Sequence, residues 1–407
     1  MMKNKVIALM LAAALGAGLT GCGSTANTNK ESTADTSVTA EEQAERKDAS
    51  AAEGESEESS EDTSSEEETE ASSAAKSKES AKTDTEAIPS STQEVFAMDT
   101  YMSITGYGEK AEEAVEASVA EIERLDALLS VGNEDSEIAK INAEGKGKIS
   151  DDTAVMLKKA LEIGETTGGK FDVTIYPLMV EWGFTSGDFK VPEEDTLKEL
   201  LKNVDYKKVN FDESTNEVSI GEGQGIDLGG IAKGFTSDRV MEIFEEYDLL
   251  SGVVSLGGNV ECYGTKIDGS KWRCGIQDPT QADDASAMLG VIEVADTAVI
   301  TSGAYERNFT DEESGTLYHH IIDPATGYSA NNGLISVSIV SESGLLADGL
   351  STSMYILGKD DAIAYWQEYG DDFEMILMTE DNQIYITEGI RDQFTGNYPV
   401  TVVDREG

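Results

Sequence analysis

The sequence has little of what usually carries metal or redox chemistry: two histidines and three cysteines among 407 residues. The spacing of Cys262 and Cys274, with no histidine near them, argues against a zinc site. Positive charge is scarce as well. Lys and Arg number 30 against 80 Asp and Glu, a formal net charge of −50. That excess of carboxylates excludes nucleic acid as a general partner, because phosphate neutralisation needs basic patches. It also argues against broad adhesion to anionic lipid. Any anionic ligand then needs a local positive or metal-bearing pocket. Long apolar runs are missing too. The run at residues 6–19 is too short for a comfortable membrane span. There is no fixed-period repeat.

The N-terminal quarter does not read as globular. Residues 1–21 combine Lys3, Lys5 and that apolar run, and have signal-peptide character. Leu19-Thr20-Gly21-Cys22 resembles a bacterial lipobox, in which Cys22 is lipidated and becomes the mature N-terminus. An ordinary secretory signal with an incidental cysteine is the alternative. Residues 22–92 are mostly Ser, Thr, Glu and Ala. Such a segment buries too little apolar surface to offset its ordering entropy, so a disordered tether is expected. An acidic interaction tail is the other reading. Residues 93–407 form the body, sized for one large domain or two intimate lobes. Cys262 and Cys274 flank an expected hairpin, as a cross-strand disulfide or as two buried thiols.

Within the body, apolar spacing predicts a strand over residues 94–107. It predicts helices over 110–129 and 152–166. Val115, Val119, Ile122, Leu125 and Leu129 share one face of the first. Residues 168–184 read as an irregular, glycine- and aromatic-rich loop suited to facing a ligand. A short helix at 193–204 and a hairpin at 209–220 follow. Helices are expected again from 235, at 345–357 and at 360–369. Strands are expected at 252–256, 271–277, 288–294, 334–340, 373–378 and 383–387, while 298–300 leads into Thr301-Ser302-Gly303 and 317–322 carries both histidines. Strands joined by short turns, with helices between, predict an α+β body with mostly antiparallel sheet.

The stretch around which the body is organised is Asp227-Leu228-Gly229-Gly230-Ile231-Ala232-Lys233-Gly234. Two glycines before a helix start let backbone approach a ligand, and the first-turn N–H groups suit a phosphate. Lys233 adds a positive charge. The pattern is neither a dinucleotide fingerprint nor a P-loop. Asp348 and Thr352 are four apart on an expected helix and share a face. With a backbone carbonyl such as that of Gly230, they make a hard oxygen set suited to Mg²⁺. His320 precedes an Asp-Pro turn and can take a proton from a hydroxyl.

Six motifs occur together: Gly169-x-Phe171-Asp172, Asp227 to Gly234, Gly257-Gly258-Asn259, Thr301-Ser302-Gly303, His320-Ile321-Ile322-Asp323-Pro324-x-Thr326-Gly327 and Ala347-Asp348-x-x-x-Thr352. In this order and spacing the chain resembles the FAD:protein FMN transferase family, the ApbE proteins, from about residue 95 to about 390. The resemblance implies that FAD is split at its pyrophosphate, that FMN passes to a Thr or Ser hydroxyl of an exported redox protein, and that AMP leaves. It implies Mg²⁺ at Gly230, Asp348 and Thr352, with His320 as base. It places FAD contacts on Met98, Lys170, Phe171, Asp172, Asp227, Lys233 and Ile322. The backbone amides after Gly229 and Lys233 are expected on the pyrophosphate, Thr301, Ser302 and Gly303 along the same cleft, and Asp323 orienting its segment. It also implies an acceptor motif like Asp-x-x-Ser/Thr-Gly/Ala-Ala-Thr, which is not evident here, and a lipid-anchored enzyme on the outer face of the cytoplasmic membrane. Two departures stand out. Val131 occupies a position where relatives often carry an aromatic that stacks on the flavin, leaving Tyr101 or Tyr305 as substitutes. Lys170 stands where a small residue is common, adding a candidate phosphate contact. The sequence also admits FAD hydrolysis with water as acceptor, or a non-catalytic flavin-binding lipoprotein.

Overall fold

In the computed structural model, which describes residues 88–405, alternating apolar residues assemble a nine-stranded sheet. Its strands are β1 (Ser90–Ala97), β2 (Thr100–Tyr107), β3 (Ser251–Leu256), β4 (Asn259–Tyr263), β5 (Thr297–Gly303), β6 (Leu334–Ser341), β7 (Glu374–Thr379), β8 (Ile384–Thr387) and β9 (Val400–Val403). They lie side by side in chain order. Each neighbouring pair is antiparallel except the last, β8 with β9. Antiparallel neighbours need no crossover, so helices are inserted between strands without changing the strand order. The fold is α+β, as expected.

Both faces of the sheet centre are covered, and the strand residues divide by period two. Ala298, Ile300, Val337, Ile339, Met375 and Leu377 share a core with the helices. Val299, Val340, Ile376 and Met378 share another with a small three-stranded sheet that carries Trp272, Cys274, Leu289 and Ile292. Consequently β6 is buried at nearly every position instead of alternating with solvent. Cys262 and Cys274 meet in that second core as free thiols, with their sulfurs 3.7 Å apart.

Four helices matter for the site: α1 (Ala111–Leu129), α2 (Asp151–Thr166), α3 (Ala232–Glu246) and α4 (Gly344–Leu357). α1 packs on β1 and β2, α4 packs on β5 and β6, and α3 lies against both α1 and α4. Val115, Ile122, Leu125 and Leu129 of α1 are buried, and Val119 is partly so. Ser150 and Ser343 cap α2 and α4 through their hydroxyls. α3 has no such cap, because Ile231 stands at the capping position.

Some expectations are corrected. Residues 94–107 are not one strand but a hairpin, β1 to β2. Its turn, Met98-Asp99, takes left-handed φ of 48° and 60°, the geometry of a type I′ turn. No Gly or Asn marks it, so the turn was invisible to composition. β1 also begins at Ser90, ahead of the expected body start at residue 93. Residues 168–184 are not wholly irregular. A 3₁₀ turn, Val173–Ile175, runs into a helix, Tyr176–Trp182, with Pro177 in its first turn. Asn259 begins β4 after the Gly257-Gly258 turn. Strands at Lys146–Lys148, Asn308–Thr310, Leu317–His319 and Phe394–Gly396, and β4, β5 and β9 of the large sheet, were not anticipated. The signal peptide, Cys22 and the tether up to residue 87 lie outside the described residues. Among the described residues no helix is long and apolar enough to cross a membrane.

Candidate active site

The glycine turn is shaped by its own first residue. The Asp227 carboxylate accepts from the Gly229 N–H at 2.7 Å, while the Asp227 N–H donates to the Val173 carbonyl at 2.8 Å. A Cβ at Gly230 would lie 3.2 Å from the Phe171 ring and 4.0 Å from Thr352 Oγ1. Only glycine leaves that space open, and the backbone of the turn thereby comes up to α4. Phe171 is buried in the main core beneath the turn.

Because α3 lacks a capping side chain, its first N–H groups need a partner from elsewhere. Asp348 supplies it from α4. Its Oδ2 accepts from the Gly234 N–H at 2.9 Å, and its Oδ1 accepts from the Asn259 amide at 3.2 Å. The two helices touch at backbone level: a Cβ on Gly234 would meet the Gly344 carbonyl oxygen at 2.0 Å and Asp348 Cβ at 2.6 Å. The structure therefore brings the 227–234 turn and the Asp348–Thr352 face together. It also corrects one detail, since the amide after Lys233 is engaged by Asp348 and is not held open for a phosphate. Burial pushes the Asp348 carboxyl up, opposed by Lys233, the Gly234 N–H and Asn259. Thr352, one turn on, is half-buried, and its hydroxyl lies 3.4 Å from Ser302 Oγ. Ser302 also bonds Ser351 at 2.8 Å, so the end of β5 ties down the same turn of α4. Beside the Gly230 turn, Asp348 and Thr352 offer a carboxylate and a hydroxyl, the hard oxygen type that Mg²⁺ takes.

Charge gathers on the other side of this set. Lys233 and Arg307 enter no ion pair among the described residues, in a chain with 80 acids to 30 bases. Lys233 acts electrostatically on Glu306, His320 and Asp348, and Arg307 acts on Asp227, Glu306 and His320. Glu306 stands among these charges. Crowding by protein pushes its carboxyl up to about 7, against the pull of Lys233 and Arg307. Neither Glu306 nor Arg307 had been singled out, although both lie within four residues of the Thr301-Ser302-Gly303 motif. Asn259 had been quoted without a role.

His320 is held by the same turn. Its N–H donates to the Arg307 carbonyl at 3.0 Å, and its ring Nδ1 lies 3.3 Å from that oxygen. A carbonyl only accepts, so Nδ1 carries the proton and Nε2 keeps its lone pair. Burial, Arg307 and Lys233 pull the imidazole down to about 3, so it is neutral at physiological pH. His319 points elsewhere, with its Nε2 3.0 Å from the Ala330 carbonyl.

Other predicted contacts are placed as follows. Met98 packs between two cores, with its sulfur 3.9 Å from Thr236 Oγ1 in α3. Lys170 pairs with Asp323 at 3.2 Å, joining the Gly169 loop to the His320 segment. The Asp172 carboxylate is spent on Thr174 and the Tyr206 N–H. The Ile322 side chain is buried with Leu178 and Trp182. Val131 packs against the main core. Tyr101 is exposed beside Phe96 on the β1–β2 hairpin, with ring centroids 5.0 Å apart. Tyr305 packs on Gly303 and lines a separate hollow of about 870 Å³ with Pro279, Leu317 and Glu380. That hollow contains none of Lys233, His320 or Asp348.

The ApbE family model matches residues 98–377. The FAD:protein FMN transferase of Treponema pallidum is 32% identical over 311 residues, 70% of this chain and 84% of that protein. That of Haemophilus influenzae is 31% identical over 289 residues, 68% of this chain and 81% of its own length. Among solved structures, the ApbE protein of Thermotoga maritima superposes with a TM-score of 0.70 at 33% identity, covering 75% of this chain and 99% of that one. The flavin transferase ApbE of Vibrio cholerae gives 0.67 at 25% identity, covering 75% and 100%. With its glycine turn, its Asp348–Thr352 face and His320 on one scaffold, the chain belongs to the ApbE family.

Proposed function

We propose that this protein transfers the FMN part of FAD to a Thr or Ser hydroxyl of an exported redox protein and releases AMP, with Mg²⁺ required. The observation that carries the reading is the convergence of Lys233 and Arg307, neither in an ion pair among the described residues, a neutral His320 and the Asp348–Thr352 oxygens at one glycine turn. His320 Nε2 accepts the proton of the acceptor hydroxyl as its oxygen bonds to the FMN phosphorus. The bond from that phosphorus to the bridging oxygen breaks, and AMP carries the oxygen away. Lys233 and Arg307 offset the charge of the diphosphate, the main task in phosphoryl-type transfer. Asp348, Thr352 and the Gly230 carbonyl would hold the ion. When bound, Mg²⁺ supplies Lewis-acid charge neutralisation at the diphosphate. Residues 1–21 and Cys22 support a lipid-anchored protein on the outer face of the cytoplasmic membrane.

The test is incubation with FAD, Mg²⁺ and a co-expressed exported redox protein, read by mass spectrometry for FMN mass on a Thr or Ser. Free FMN with an unlabelled acceptor would instead identify a hydrolase. Uncleaved FAD after hours with Mg²⁺ would identify a binding protein. Asp348→Ala is expected to lower turnover by about 10²–10³-fold or more through loss of the ion. Turnover near wild type would refute the assignment.

A further inference from the structure

Asp238 is a residue of α3 to which neither the motifs nor the chemistry above assign a role. It is half-buried, one turn beyond Gly234, and faces the start of α4. Its Oδ1 accepts from the Gly344 N–H at 2.5 Å. Its Oδ2 accepts from the Leu345 N–H at 3.0 Å and from the Ser343 hydroxyl at 3.3 Å. These N–H groups are orphan donors of the first turn of α4, and a carboxylate there also meets the positive end of the helix. Asp348 does the reverse, reaching from α4 to the Gly234 N–H at the start of α3. Each helix thus caps the other with one carboxylate. Behind Asp238, the carboxyl of Glu261 on β4 is buried, and one of its oxygens has no hydrogen-bond partner. Glu261 backs Asp238 from the sheet side, and Glu242 on α3 adds a like charge.

We propose that Asp238 is a positioning residue for the metal site: its bonds to the first turn of α4 fix where Asp348 and Thr352 stand relative to the Gly230 carbonyl. The two sides of the ion site belong to different helices, Gly230 just before α3 and Asp348 and Thr352 within α4. Mg²⁺ demands near-ideal octahedral geometry, so a small slide of one helix against the other weakens it sharply. The reciprocal caps are the contacts that oppose such a slide along the helix axes. The inference rests on the metal reading of Proposed function and extends it to a residue that touches neither ion nor substrate.

The experiment is direct Mn²⁺ binding to the full-length protein, followed by paramagnetic resonance of the free aquo ion, with the thermal midpoint of each variant recorded alongside. Asp238→Ala is expected to weaken Mn²⁺ binding ~10-fold or more, the scale of losing a helix cap. Asp238→Asn keeps one accepting oxygen and should recover much of that loss, and it serves if the Ala variant does not fold. In activity assays, the Mg²⁺ concentration for half-maximal rate should rise while the FAD KM stays near wild type. A lower thermal midpoint with unchanged Mn²⁺ affinity in both variants overturns the inference and makes Asp238 merely structural. A wild type that binds no Mn²⁺ and works without metal overturns the metal reading and takes this inference with it.

Discussion

His320 donates through Nδ1 to the Arg307 carbonyl, which fixes the tautomer and leaves Nε2 as the basic nitrogen. Its pKa is depressed to about 3, so the neutral form dominates throughout the neutral range and only stronger acid removes it. His320→Ala is expected to slow transfer by about 10²–10⁴-fold, the usual worth of a positioned base, with FAD affinity largely kept. The same variant separates the pH dependence. From about pH 5 to 8 the wild-type profile should carry no ionisation of this histidine, so the variant's profile keeps its shape at a lower level. An inflection near neutrality belongs to Glu306, at about 7. Loss of a limb near pH 6.5 in the variant would instead return the histidine to its ordinary value. For stability the sign follows from the depressed pKa. The unfolded chain takes up this proton first, so stability is full at neutral pH and drains as pH falls below the unfolded value.

At the scale of elements, the site is a helix–helix contact made close by glycines. Gly234 on α3 and Gly344 on α4 pass with almost no room for a side chain. Gly234→Ala sets two effects against each other. Alanine gains about 0.8–1 kcal/mol of helix propensity over glycine. The added Cβ would fall 2.0 Å from a backbone oxygen, which cannot swing aside as a flexible side chain would. Overpacking of this kind costs about 1–3 kcal/mol or more, so the clash wins. A lowered thermal midpoint is expected, together with weaker metal binding, because the Gly234 N–H leaves Asp348. A variant as stable as wild type would show that the helices separate without cost. The Lys170–Asp323 pair works at the same scale, joining two loops that flank the site.

For the whole molecule, charge and topology separate the roles. The chain is strongly acidic, yet among the described residues Lys233 and Arg307 have no carboxylate partner at the cluster that faces a diphosphate in the proposed reaction. The nine-stranded sheet holds β5 and β6 beneath α4, and the long excursion between β2 and β3 delivers the glycine turn and α3 to the same place. The anchor is argued from Cys22 at the other end of the chain. Cys22→Ala in the native host is expected to move the protein out of the membrane fraction while its flavin transfer in detergent-free assays is kept. A variant that still sediments with membranes would overturn the lipid anchor.

The sequence by itself determined the local elements and the chemical types. Helical spacing located α1, α2 and α4, period two located most of the sheet, and Asp348 with Thr352 could be put on one helix face because that relation spans a single turn. The tertiary structure alone decided which carboxylate caps which helix, that Asp172 and Lys170 have protein partners, and that residues 94–107 fold back on themselves at Met98-Asp99. The hairpin is local and was hidden by a turn without Gly or Asn, whereas the other outcomes depend on partners far along the chain, 114 residues away for Gly234 and Asp348. Periodicity and turn composition register only near neighbours, whereas a hydrogen bond across a helix contact depends on where the whole core places two backbones.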